Sequence, residues 1–240
     1  MLLKTKGIVL NNINYSEKYN LVQIFTEVAG QVTYMVSKTK SRSTKVPRSL
    51  FTPLAVLDLE VDHQPLRDIQ RIREARPDMH YLSITSHIGK TSMAFFLSEF
   101  LTRVLRDIND TRLIFDFIYQ SINILEMTHQ SIANYHLVFM LKLTQFLGFS
   151  PNLEDYNRGE LFDMLNGEFV GRHPSHPHVL TVADSEVLAR LARITYENMH
   201  FFVFRQQDRV TIINRILEYY RLHLYDFPNL KSLDVLHELF

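Results

Sequence analysis

The spacing of apolar positions changes once along this 240-residue chain, from a period of two to a period near 3.6, and the change falls at Pro77. Ahead of it, Ile8 to Leu10 and Leu21 to Phe25 are short apolar runs. Val32, Tyr34 and Val36 alternate with polar neighbours, and Ala55, Leu57, Leu59 and Val61 face one way while Asp58 and Glu60 face the other. Segments of this kind, bounded by turn residues, predict β-strands. Val28-Ala29-Gly30 supplies a turn between the second and third, and His63-Gln64-Pro65 precedes a fifth run from Leu66 to Ala75. Five short strands predict a small barrel. The five-stranded OB type, with a groove suited to oligonucleotides, fits that count, and strand number alone leaves an SH3-like barrel open.

Beyond Pro77, Met93, Phe96, Leu97, Phe100, Leu101, Val104, Leu105 and Ile108 follow helical spacing without a miss and predict one long amphipathic helix. A second helix is expected near Thr111, after an Asn109-Asp110 cap signal, with Ile114, Phe117, Ile118, Ile122 and Leu125 on one face. A third carries Ile132, Tyr135, Phe139, Met140, Leu143, Phe146 and Leu147 and stops at Gly148. Short connections imply antiparallel packing, and a bundle core accounts for these aromatic stripes. An irregular stretch from Ser150 to Thr181 then interrupts the helices. Within it, Leu161 to Met164 and Glu168 to Val170 flank Asn166-Gly167 as the strands of a two-residue hairpin would. Helical spacing resumes at Val187, Leu188 and Leu191, and again at Val210, Ile213, Leu217, Tyr220 and Leu224, before a short Ser232-capped end segment. The expected class is therefore α+β: a barrel over 1–80 and a helical domain over 81–240, with the irregular insert at about 150–181.

Composition narrows the chemistry. The chain has no cysteine, which excludes disulfides and thiolate metal sites, and 46% hydrophobic residues can bury a real core. No apolar run reaches the ~20 residues of a membrane span and the start lacks a signal-peptide core, so a cytoplasmic protein with no membrane partner is expected. The net charge of zero is unevenly divided. From Val28 to Leu57 there is no Asp or Glu, and Lys38, Lys40, Arg42, Lys45 and Arg48 are interleaved there with Ser and Thr. A loop of that kind attracts phosphates, although five exposed charges are also what a solvated connection looks like.

Enzymatic motifs are missing. Gly89-Lys90-Thr91 resembles the end of a phosphate-binding P-loop, but Ile84 stands where the motif needs glycine. With seven glycines in all there is no Gly-rich nucleotide loop, no nucleophile elbow and no HExxH, so neither catalysis nor a cofactor is expected. His173, His176 and His178, with Glu160 and Asp163 upstream, form a set from which a His/carboxylate metal site or a metal-dependent hydrolase can be imagined. Pro174 and Pro177 stiffen the loop that carries them, and solvated histidines with no metal are the expectation.

Both ends of the chain carry a resemblance. Lys6-Gly7-Ile8-Val9-Leu10, then Tyr15-Ser16-Glu17-Lys18, Leu21-Val22-Gln23-Ile24-Phe25-Thr26, Gly30 and the basic loop resemble the opening of the RecO family of bacterial recombination mediators. Tyr219-Tyr220-Arg221-Leu222-His223-Leu224, followed by Leu230-Lys231-Ser232-Leu233 and Leu236, resembles the end of that family. The resemblance implies a non-enzymatic, nucleoid-associated DNA-repair protein that binds single-stranded DNA and anneals complementary strands. With RecR, it would help load RecA onto DNA coated by single-strand binding protein. The family often carries a four-cysteine zinc site in the insert, and Tyr156-Asn157-Arg158-Gly159 through Phe169-Val170-Gly171-Arg172 contains no cysteine.

For the DNA site, Lys38, Lys40, Arg42, Lys45 and Arg48 are the expected phosphate contacts, with Lys6, Arg71 and Arg73 on neighbouring strands. Tyr15, Tyr19, Tyr34 and Phe51 are candidates for stacking on bases, each with core packing as the competing role. Arg205, Arg209, Arg215 and Arg221, beside Tyr220, are the expected rim of an apolar cleft for the acidic C-terminal tail of single-strand binding protein, which the helical domain of RecO relatives receives. An alternative function is a non-enzymatic helical adaptor whose barrel docks a protein partner.

Overall fold

The computed structural model describes residues 1–38, 45–106, 108 and 111–239. They divide into two compact units, one of 1–127 with 230–236 and one of 128–229 with 237–240.

The first unit is built on a closed barrel of β1 (Leu2–Asn14), β2 (Tyr19–Thr26), β3 (Gly30–Ser37), β4 (Val56–Asp62) and β5 (Ile69–Pro77). Its strand order is β1-β2-β3-β5-β4, with β4 closing onto β1 and β3 pairing β5 in parallel, which is the OB arrangement. Alternation fills the interior: Val22, Ile24, Val32, Tyr34, Val36, Leu57, Leu59 and Val61 point inward and are buried. Gly7 lets β1 approach this core, because a Cβ there would lie 2.6 Å from Ile24 Cγ2 and 2.8 Å from Leu59 Cδ1. The sequence pattern underestimated β1. It runs through Lys4 and Lys6, whose outward side chains interrupt the apolar signal, and a bulge between Val9 and Asn11 lets it continue along β2.

Helices α1 (Ser83–Ser86), α2 (Ile88–Val104) and α3 (Thr111–Met127) also belong to this unit, together with the first residues, 233–236, of the last helix. The long helix begins five residues earlier and ends four residues sooner than the apolar spacing predicts, and the Asn109-Asp110 signal lies outside the described residues. The short α1 has no local sequence signal, since its partner is remote. The Glu126 carboxylate accepts from Leu82 N (3.0 Å), Ser83 N (2.7 Å) and Ile84 N (2.8 Å). Lys90, only 4% exposed, donates to Ser83 Oγ (2.7 Å) and to Glu126 O (2.8 Å), so the P-loop-like lysine is a structural strut. Phe25 of the barrel stacks on Phe115 of α3 at 6.2 Å, and Thr111 Oγ1 donates to Glu27 O at 2.8 Å.

The second unit holds α4 (Tyr135–Leu147), the hairpin strands β6 (Leu161–Asp163) and β7 (Glu168–Val170), α5 (Val182–Leu191) and α6 (Gln206–His223). Helix α4 stops at Gly148, whose φ of 81° is the left-handed cap that glycine accommodates. The hairpin turn spans four residues rather than the two expected. Asp163 Oδ1 accepts from Leu165 N and Asn166 N, and this side-chain turn carries the chain over to Gly167. A last helix, α7 (Leu233–Leu239), follows a segment held by Glu99 of α2. That carboxylate accepts from Lys231 N (2.9 Å), Ser232 N (2.8 Å) and Ser232 Oγ (2.6 Å), so the expected capping hydroxyl is turned toward α2.

Candidate nucleic-acid interface

Register across the barrel builds an outer wall. Ile13 pairs with Leu21, Leu21 with Met35 and Met35 with Arg71, so one row of outward side chains crosses β1, β2, β3 and β5. The adjacent row is Asn11, Gln23, Thr33 and Ile69, with Asn11 Nδ2 donating to Gln23 Oε1 at 3.2 Å. Strands β1, β2 and β3 contain no carboxylate. At the upper end of the wall the β1–β2 turn presents Tyr15 (59% exposed) and Tyr19 (40% exposed), beside Ile13 at 46%. At the other end the β4–β5 turn, pinned by Gln70 donating to Gln64 O (2.7 Å) and Arg67 O (2.6 Å), carries the fully exposed Leu66 and the exposed Arg67.

The cations chosen from sequence fall into three groups. Lys38 stays at this wall, where Nζ donates to Asn14 Oδ1 and Ser16 O and its backbone N to Lys18 O (2.9 Å), fastening the end of β3 to the tyrosine turn. Arg48 and Arg71 are exposed and enter no ion pair among the described residues, while Lys40 and Arg42 lie outside them. Lys6, Lys45 and Arg73 are engaged elsewhere. Lys6 Nζ is 2.5 Å from Asp78 Oδ1 and lies over the Tyr119 ring, and Tyr119 OH donates to Asp78 Oδ2 at 2.9 Å. That bond to Asp78 holds the Lys6 ammonium above its ordinary range. Lys45 pairs with Glu74 at 3.3 Å and Arg73 with Asp62 at 2.7 Å.

Two of the stacking candidates are corrected. Tyr34 is 0% and Phe51 3% exposed, both inside the barrel core, so neither offers a face to a base in this conformation. Burial drives the Tyr34 phenol far above its usual range, and its hydroxyl has no hydrogen-bond partner among the described residues. Sequence reasoning missed Ile13, Leu21 and Met35. The signal was present in β2 and β3, where the positions between the buried residues are polar or half-apolar rather than charged.

In the second unit the expected arginine rim is largely tied up. Arg215 Nε donates to Asp184 Oδ2 (3.2 Å) and its Nη1 pairs with Glu218 (3.0 Å). Arg221 donates to Asn229 Oδ1 (3.1 Å), and Arg209 Nη1 donates to Phe204 O (2.5 Å). Tyr220 is fully buried and donates to Met140 O (2.8 Å), which removes it as a peptide contact. Arg205 remains exposed at the start of α6. A groove the sequence did not mark, of about 590 Å³, is lined by the apolar Leu153, Tyr156 and Phe202, the cations Arg190 and Arg193, and the carboxylates of Glu154 and Glu186. Beside it Phe201 (75%) and Val203 (88%) are exposed.

Comparison with known proteins decides the family. The family profile described as "Recombination protein O N terminal" matches residues 1–78, and "Recombination protein O C terminal" matches 86–234. The chain belongs to the RecO family. It is 44% identical to the DNA repair protein RecO of Azobacteroides pseudotrichonymphae, 42% to that of Bacteroides fragilis and 33% to that of Porphyromonas gingivalis (strain W83). In each case the match covers all of both chains. The RecO profiles break between 78 and 86, at the end of the barrel, whereas the compact units break after 127, because α2 and α3 pack with the barrel and α1 packs on them. No described helix is long and apolar enough to cross a membrane.

The zinc site implied by the RecO resemblance does not fit these residues. There is no cysteine, and among the described residues no group of three or more His, Cys, Asp or Glu is placed to hold a metal. His173 Nδ1 is turned to Pro174 O (2.7 Å), and His176 Nε2 lies 3.1 Å from Asp163 Oδ2.

Proposed function

We propose that this RecO-family chain is a cytoplasmic, nucleoid-associated DNA repair and recombination mediator that binds single-stranded DNA on its barrel and anneals complementary strands. With RecR, it would help load RecA onto DNA coated by single-strand binding protein. The observation that carries the DNA reading is the carboxylate-free run of β1 to β3, with Tyr15 and Tyr19 exposed at one end and Lys38 bonded to their turn. Apolar and aromatic surface beside cations that track a backbone is how proteins hold single strands without reading sequence. For the acidic tail of single-strand binding protein, the proposed site is the groove of Arg190, Arg193 and Phe202, where two arginines beside an apolar floor can take an acidic, apolar peptide against the opposing charge of Glu154 and Glu186 in the same lining.

The test is fluorescence anisotropy with a labelled single-stranded oligonucleotide across a salt series, on the wild type and on a Lys38→Glu, Lys40→Glu, Arg42→Glu variant. Four or five neutralised phosphates, at ~0.7 per contact on single strands, predict a slope of log affinity against log salt of about −3. The triple variant is expected to lose on the order of 100-fold in affinity at low salt, because each reversal replaces an attraction by a repulsion. A flat salt dependence, or an unchanged triple variant, rejects the DNA reading and favours a barrel that docks protein through Ile13, Leu21 and Met35.

A further inference from the structure

The insert of the second unit is organised around one carboxylate. Asp163, 2% exposed at the end of β6, accepts through Oδ1 from Leu165 N (2.9 Å) and Asn166 N (3.1 Å). Its Oδ2 accepts from Asn166 Nδ2 (2.8 Å) and lies 3.1 Å from His176 Nε2. Its backbone oxygen accepts from Gly167 N (2.8 Å), and its backbone bridges to Val179. Two contacts on each oxygen fill the acceptor capacity of a carboxylate, so a metal ion at this residue would have to displace donors already in place. The one side chain thereby joins three pieces of chain: the end of β6, the turn at 164–167, and the returning segment at 176–179.

Neighbouring contacts complete the same cross-link. Met164 N donates to His178 O (3.0 Å), Leu180 N to Phe162 O (2.9 Å), and Phe162 N to the buried Ser185 hydroxyl (2.8 Å). Phe162 packs edge-on to Phe169 at 5.1 Å, which packs in turn against Tyr156 at 4.9 Å. The His223 ring lies parallel to Phe149 at 5.2 Å and hydrogen-bonds Met164 O at 2.9 Å. A structural zinc centre ties remote segments together with four ligands, typically thiolates or imidazoles. Here hydrogen bonds to Asp163 and an aromatic stack link the same kind of segments.

We propose that Asp163 takes the place of the zinc centre in this member of the family, so that the insert folds around a carboxylate and independently of divalent metal. Hydrogen exchange of the amides of 161–180, read with and without EDTA on the full chain, tests this alongside metal analysis of protein purified without chelator. Exchange protection is expected to be unchanged by EDTA, and the protein to contain no stoichiometric zinc. Asp163→Ala is expected to lose protection in 161–180 by about tenfold or more while barrel amides keep theirs, since the open state of the insert becomes more populated. If that variant does not yield folded protein, His176→Ala carries the test. It removes one arm of the link and is expected to raise exchange at 176–180 more than at 164–167. Stoichiometric zinc, loss of protection in EDTA, or full protection in both variants overturns the proposal.

Discussion

Strands β2 and β3 with the end of β1 turn outward Ile13, Leu21, Gln23, Thr33 and Met35, whereas β4 and β5 with the start of β1 turn outward Lys4, Lys6, Asp58, Glu60, Asp62, Arg73, Glu74 and Arg76. Both walls cover the same core and follow the same alternation, and they differ in what their charges already touch. On the second wall Lys4 pairs with Glu60 at 2.8 Å, Arg73 with Asp62, and Glu74 with both Lys45 and Arg76. Positive charge there meets a carboxylate within the barrel itself. On the first wall charge is nearly absent from the strands, and the turns at its rims carry Lys18 and Lys38 with Glu17, and Arg67 with Asp68. A cation is therefore a useful phosphate contact only where its neighbours leave it one to seek, and this local property is lost when charges are totalled along a sequence.

The largest effect separating the walls is expected from Tyr15→Ala with Tyr19→Ala. Stacking on an aromatic is worth ~1–3 kcal/mol per base, so the double variant should bind a single-stranded oligonucleotide about 30-fold or more weakly. Neither substitution removes a charge, so the salt slope should stay at the wild-type value. Anisotropy titration reads both quantities. A changed slope with unchanged low-salt affinity would break the assignment of this wall to bases.

Tyr34→Phe sharpens the same comparison from inside the barrel. The hydroxyl is buried and unpartnered among the described residues, and leaving such a group without a hydrogen bond costs ~1–3 kcal/mol. Its removal is expected to add about 1 kcal/mol of stability, read as a higher urea midpoint at constant m, with oligonucleotide affinity unchanged. Weakened DNA binding at equal or greater stability would mean that Tyr34 leaves the core to meet a base.

The barrel was legible because its interior obeys a period of two over four strands, and the long helices because apolar spacing of 3.6 is hard to mistake. What was not legible depended on partners far away in the chain. Helix α1 exists because Glu126 caps it from the end of α3, and Lys6 looked like a phosphate contact because nothing near it in sequence announces Asp78. Arg215 belongs to Asp184, across the interval from α6 back to α5. Tyr34 and Phe51 show the other limit. Aromatic character was readable, but the face each takes is set by register, and alternation with Val32 and Val36 puts Tyr34 inward. The outer row of Ile13, Leu21 and Met35 needed the pairing of three strands before it existed as a surface.

The smallest effect is expected on the paired wall, from Arg73→Gln. Asp62 holds this guanidinium at 2.7 Å, so a phosphate would have to compete with a carboxylate already in contact, and affinity for the oligonucleotide should change by less than about twofold. Proton linkage makes the expectation stricter. The hydrogen bond from Arg73 holds the Asp62 carboxyl below its ordinary range, and bonds from Lys45 and Arg76 do the same for Glu74. For a carboxylate with a lowered folded pKa, the pairing is complete above its ordinary value and is lost only as pH falls through the lowered one. Between pH 8 and 5 this wall therefore stays paired, and the difference between wild type and Arg73→Gln should remain flat across that interval. If Arg73→Gln instead cost as much affinity as the two tyrosines, phosphate would be displacing Asp62 on binding, and the two walls would form one continuous DNA surface.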